Sequence, residues 1–235
     1  MKYIIIIALL ILNFNCSSTK NTVYFEAAPA DLIHDENRFD LDNEVYPVNR
    51  EILYQCIIEK NEMKLDVEVK FIRMSIQGTT KPFSNFDPNY SQTVIKFDYL
   101  DQNKKTIISE RTGLVENNVN IWLHPPRNSD LGVLQLSAFP YIKLNAIKNW
   151  EWNLEASYGN FQKVHLAHYY KKRTPVSYNS KLGPLECVVV DATTKSTMGK
   201  TNAEFLYHDE LGFVKMTFHT IDGNKITLEM INGEL

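Results

Sequence analysis

The 235-residue chain carries six histidines and three cysteines, and the chemistry open to it depends on where these stand. His165 and His168 lie three apart in Val164-His165-Leu166-Ala167-His168-Tyr169. That spacing gives a shared face on a helix, where the pair could hold a metal, but opposite faces on a strand. The stretch alternates like a strand, so joint metal ligation is not expected. His208-Asp209-Glu210 gathers ligand-type side chains at what reads as a solvated acidic turn. In His124-Pro125-Pro126-Arg127 two prolines fix their own φ, push His124 toward an extended conformation and end the preceding strand. Such a corner either terminates the strand or presents Arg127 to a carboxylate, a phosphate or a partner chain, with Trp122 as cover. No nucleophile elbow, phosphate-cradling Gly loop, zincin helix or Cys-x-x-Cys motif is present. The expectation is therefore no catalysis, no metal and no cofactor, with a hydrolase assembled from distant residues as the remote alternative.

Each cysteine has a different prospect. Cys16 follows Lys2 and an unbroken apolar run from Ile4 to Leu12, and precedes Ser17, Ser18 and Thr19. A run of that length suits a secretory signal, which needs about 7–15 apolar residues, rather than a membrane span, which needs about 20. A signal core with a cysteine directly behind it resembles a bacterial lipoprotein signal. The resemblance implies cleavage before Cys16, residues 1–15 being the signal peptide, and a diacylglycerol on the Cys16 sulfur. The usual Leu-small-small-Cys pattern is replaced by Asn13-Phe14-Asn15-Cys16, so a conventional cut after Ser18, giving a secreted protein, stands as the alternative. Cys56 and Cys187 remain. Each lies in an apolar strand where a buried thiol is at home, while an oxidising compartment would also permit a disulfide between them.

The elements that must position these residues are strands. Residues 16–50 form the lipidated N-terminus followed by an acidic segment without a sustained period, either a tether or an irregular piece packed on the body. From 51 to 235 the two-residue period dominates, giving a single β-rich domain. Leu65, Val67, Val69 and Phe71 alternate with charged neighbours before the phase flips to Ile72, Met74 and Ile76. Ile95, Phe97 and Tyr99 share a face, as do Val119, Ile121 and Leu123. Trp150, Trp152, Leu154, Ala156 and Tyr158 form another apolar face, opposite Glu151, Asn153, Glu155 and Ser157. Residues 185–192, 202–207, 212–221 and 225–231 read as four strands joined by turn chemistry. Residues 140–149 are the best place for a short helix. About ten strands in one antiparallel meander cannot stay flat, so the predicted fold is mainly β, a single curved sheet of half-barrel or barrel-like form with little helix. The last fifty or so residues resemble periplasmic half-barrel proteins of the lipoprotein-carrier type. The likeness rests on Gly183 and Cys187 on one strand, then Gly212-Phe213-Val214-Lys215-Met216, then Leu228-Glu229.

Function is narrowed by exclusion. With 25 basic against 28 acidic residues the formal charge is −3, which lacks the basic face of a nucleic-acid binder. Twelve Tyr, twelve Phe and three Trp supply large apolar surfaces that need a core or an interface. The expected protein is a lipid-anchored envelope protein, periplasm-facing because no acidic run directly follows Cys16, the surface-export signal of some of the lipoproteins it resembles. It would bind an apolar or lipid-like ligand in its curved aromatic sheet, or dock an envelope partner through its outer surface. The residues proposed for ligand or partner are Trp122, Arg127, Trp150, Trp152 and Tyr158.

Overall fold

The structure, a computed structural model, describes residues 44–78, 92–147, 149–158 and 162–234. Cys16, the signal segment and the acidic segment up to residue 43 lie outside the described residues. The described chain is a fourteen-stranded antiparallel sheet that does not close. Its spine runs β7-β6-β5-β4-β3-β1-β14-β13-β12-β11-β9-β8, with β2 (Met63–Lys64) paired to β1 and β10 to β11. The strands central here are β1 (Glu51–Lys60), β3 (Phe71–Gly78), β4 (Thr93–Leu100), β5 (Thr106–Glu116), β6 (Asn120–Leu123), β7 (Tyr141–Lys143), β8 (Trp150–Tyr158), β9 (Gln162–Lys172), β10 (Val176–Ser180), β11 (Gly183–Ser196), β12 (Gly199–His208), β13 (Gly212–His219) and β14 (Asn224–Glu234).

Alternation places the core on one face. Ile52, Tyr54, Cys56 and Ile58 of β1 are buried, as are Ile72, Met74 and Ile76 of β3 and Ala203, Phe205 and Tyr207 of β12. The register shifts between Leu53 and Tyr54, between Ile76 and Gly78, between Tyr99 and Leu100, and between Leu206 and Tyr207. Such bulges increase local twist and bend a sheet of this width around its own core. Inside the bend Phe205 packs edge-on against Phe213 and Phe218, with centroids 6.0 and 5.6 Å away, and Tyr207 meets Phe213 at 5.5 Å.

Three local expectations change. The helix expected at 140–149 is absent: Tyr141 and Ile142 pair with Trp122 and Ile121 as β7, and a 3-10 helix stands instead at Ser129–Leu136. Its buried Leu131 and Leu134 are three residues apart, the 3-10 repeat, over too short a run to show as an amphipathic period. The alternating stretch before Phe71 is strand only at β2 (Met63–Lys64); Leu65 is exposed and Asp66 pairs with Lys70 in solvent at 2.8 Å. What makes β2 is a two-residue turn in which Asn61 and Glu62 both take positive φ, 50° and 66°. Val119 is half-exposed in a turn, whereas Asn120 through Leu123 are buried on both faces of β6.

Candidate functional site

Four of the five residues singled out from the sequence are positioned at or beside one structure, a seam where the two ends of the open sheet face each other. β6 supplies Trp122, the segment after the 3-10 helix supplies Phe139, β7 supplies Tyr141, β8 supplies Trp150 and Trp152, and β9 supplies His168 and Tyr170. Trp122 meets Trp152 edge-on at 5.9 Å and Phe139 at 5.8 Å. Trp150 stacks on Tyr170 at 5.5 Å and 4°, and Tyr141 abuts both, at 5.7 and 5.4 Å. Each such pair contributes about 0.5–1.5 kcal/mol beyond its area burial. Hydrogen bonds cross the same seam. The Tyr170 hydroxyl donates to the Phe139 carbonyl at 3.1 Å, and the Lys172 ammonium to the Leu144 carbonyl at 2.8 Å. The sheet is thus held closed by side chains where its backbone ladders do not meet.

His168 sits inside this packing and is 0% exposed. It stacks on Trp152 at 4.9 Å and lies 5.7 Å from Phe139. Its Nδ1 pairs with the Thr194 hydroxyl at 2.8 Å, while Nε2 has no hydrogen-bond partner among the described residues. Burial, reinforced by the neighbouring charge of His165, pulls its pKa down to about 3, so the ring is neutral. His165 points to the exposed face, as strand geometry demands, and the two do not form a metal site.

The proline corner ends β6 and does more than stop it. Arg127 turns inward, its guanidinium 3.0 Å from His124 Nε2 and 3.8 Å from Glu110, whose side chain is only 7% exposed. Glu110 also accepts from the Tyr99 hydroxyl, from the Arg127 backbone N–H at 2.9 Å and from the Asn128 side chain at 3.1 Å. His124 in turn lies 4.7 Å from Phe139, which ties the corner to the seam. Arg127 therefore holds a carboxylate of its own chain. Tyr158 ends β8, and its side chain is outside the described ones.

The N-terminal segment docks at least from residue 44 onward. The backbone N–H groups of Val45 and Tyr46 donate to the two oxygens of Glu116 at 2.7 and 2.8 Å, and burial raises the Glu116 pKa. The Tyr46 hydroxyl accepts from the Phe213 N–H at 2.9 Å, and Arg50 donates to the Val45 carbonyl. Cys56 and Cys187 are both buried free thiols, and strands β14, β13 and β12 stand between them.

Across β8, β9 and β11 lies an open cleft of about 540 Å³, lined by Asn149, Trp150, Glu151, Tyr169, Lys171 and Asp191 among others. Tyr169 is 41% exposed, with the Lys195 ammonium 5.1 Å over its ring. Arg173 bridges Asp191 at 3.4 Å and Glu204 at 2.8 Å beside it. Neither Tyr169 nor Glu110 stood out in the sequence. Tyr169 occupies a wet position of an ordinary alternating strand, and Glu110 lies in a polar stretch. A lone aromatic on the wet face of β9 was the available signal.

Two solved structures align with this architecture over nearly their full length. One is a Bacteroides fragilis protein described as exported and as having a YmcC-like fold, with a TM-score of 0.51 and 11% identity over 82% of this chain and 99% of that one. The other is a Parabacteroides distasonis protein described as a lipoprotein, with a TM-score of 0.50 and 9% identity over the same shares. This chain shares their fold. No family model matches the sequence, and no curated protein matches it.

Proposed function

We propose that the protein is a bacterial envelope lipoprotein, anchored through Cys16 and facing the periplasm, whose β body docks an envelope partner through its outer surface and performs no chemistry on it. One observation carries the reading. The aromatic rings that would have lined a lipid-like pocket, Trp122 and Trp152, are packed on each other and on Phe139 and buried, whereas the cleft bordered by Trp150 and Tyr169 faces solvent. An apolar ligand would have to displace the seam that holds the sheet closed. The cleft instead offers an exposed Tyr169, with Arg173 held beside it on Asp191, and Tyr and Arg are among the residue types enriched in protein-binding hot spots. Beside it β8 ends the sheet, so its outer backbone edge has no strand partner among the described residues. The descriptions of the two structural neighbours, one exported and one a lipoprotein, support the location.

The test is photo-crosslinking in living cells. A benzoylphenylalanine at position 169 should give a discrete adduct that Lys171→Glu abolishes, and the same probe at the exposed Ile107 should give none. Equal adducts at both positions, or none at 169, refute partner docking. Stoichiometric lipid copurifying with the wild type and lost from Trp152→Ala would instead install the apolar-ligand reading.

A further inference from the structure

The strands of the body have two ends, and hydrogen bonds show which one the N-terminal segment joins. Val45 and Tyr46 are bonded to Glu116, at the end of β5. The turn that follows β5 carries Val119, whose carbonyl accepts from the Leu144 N–H at 2.7 Å at the end of β7. Three residues further on stands Ile147, 97% exposed in the β7–β8 connection. Val48 and Val119, 40% and 42% exposed, belong to this same end. Single exposed apolar residues are ordinary on a protein surface. Here, however, a β-branched side chain occupies a connection where polar residues are the rule, with two more apolar residues at the same end. The opposite end also exposes apolar side chains, Met63 and Met198. What separates the two is that Glu44, the first described residue on the Cys16 side, stands at the Ile147 end.

We propose that this end rests on the bilayer, with Ile147 inserted at the boundary between headgroups and acyl chains. The inference rests on the anchored reading given above. Residues 17–43, fully extended, could hold the body up to about 90 Å from the anchor, so the anchor alone does not impose the contact. It confines the tip within reach of the lipid, and a contact too weak to bind a free protein then becomes populated through effective concentration.

The test uses the full-length acylated protein in vesicles of phosphatidylethanolamine and phosphatidylglycerol. A nitrobenzoxadiazole label is placed at Ile147→Cys or, as the control, at Met198→Cys. Cys56 and Cys187 are buried, and Cys16 is blocked by its acyl group, so labelling is directed to the new thiol. The label at 147 should be quenched by lipid-borne spin label at least about threefold more than the label at 198, with a blue-shifted emission. Vesicle flotation and acyl labelling are measured on the same samples, with Cys16→Ala as reference. Protein that floats through its acyl group but shows equal quenching at 147 and 198 overturns the docking and leaves the anchor standing. Protein that neither carries acyl label nor floats overturns both.

Discussion

Acid should loosen the seam through one side chain. His168 is fully buried, stacked on Trp152, and held neutral with its pKa lowered from 6.5 to about 3, first by burial and second by His165. In the unfolded chain the ring takes up a proton near pH 6.5. Stability that depends on the ring staying neutral is therefore complete above that pH. It falls by about 1.4 kcal/mol for each unit of acidification until the folded-state pKa is reached, and is constant below it. The whole window is worth about 5 kcal/mol, comparable with the total stability of many domains, and at pH 4.5 the loss is already about 3 kcal/mol. His168→Phe keeps a ring against Trp152 and removes the titration. At pH 7 the variant should be the less stable protein, by about 1–3 kcal/mol, because Thr194 loses its buried partner. Urea unfolding followed by tryptophan fluorescence, at pH 7 and at pH 4.5, measures the gap between wild type and variant. Other carboxylates and histidines contribute equally to both proteins and cancel. The gap should shift by about 2–3 kcal/mol in favour of the variant on acidification. A gap that stays constant within about 0.5 kcal/mol would refute the assignment of a buried neutral imidazole.

Gly212 has φ +79°, and a Cβ there would overlap the Tyr46 hydroxyl and come within 2.5 Å of its Cζ, so Gly212→Ala should cost about 3–5 kcal/mol, close to losing the docked ring. In a Tyr46→Ala background the same substitution should cost only the backbone strain, about 1–2 kcal/mol; additive costs in denaturant titrations would show that the two residues do not collide. Cys56 and Cys187 are buried with thiol pKa values pushed up to about 12 and about 11, burial being the first cause for each. Both should resist a disulfide reagent in the native protein and react at the same rate as global unfolding in denaturant; fast native modification of either would contradict that burial.

Much of the architecture was legible locally. Strands β8, β11, β12, β13 and β14 were readable because each buries one face, and a period of two needs no partner to be seen. The same rule put His165 and His168 on opposite faces, as they are. The errors fell where local pattern and tertiary demand diverge. The alternating run before Phe71 meets the period without a ladder for most of its length, and residues 141–143 become a strand only because β6 lies beside them.

The candidate site divides in the same way. The proline corner and the Trp150–Trp152 face were visible as composition, and so was an aromatic excess that had to be buried somewhere. That Arg127 would face Glu110 follows from the β5–β6 register, whereas the meeting of Trp122 with Trp152 and the place of Phe139 between His124 and His168 were decided by the curl of the whole sheet. Each bulge adds a bend that no single strand records, and the accumulated bend brings the first and last strands of the spine together. Residues on those strands share no hydrogen-bonded ladder, so no sequence period links them. Only the closed shape of the core made them neighbours.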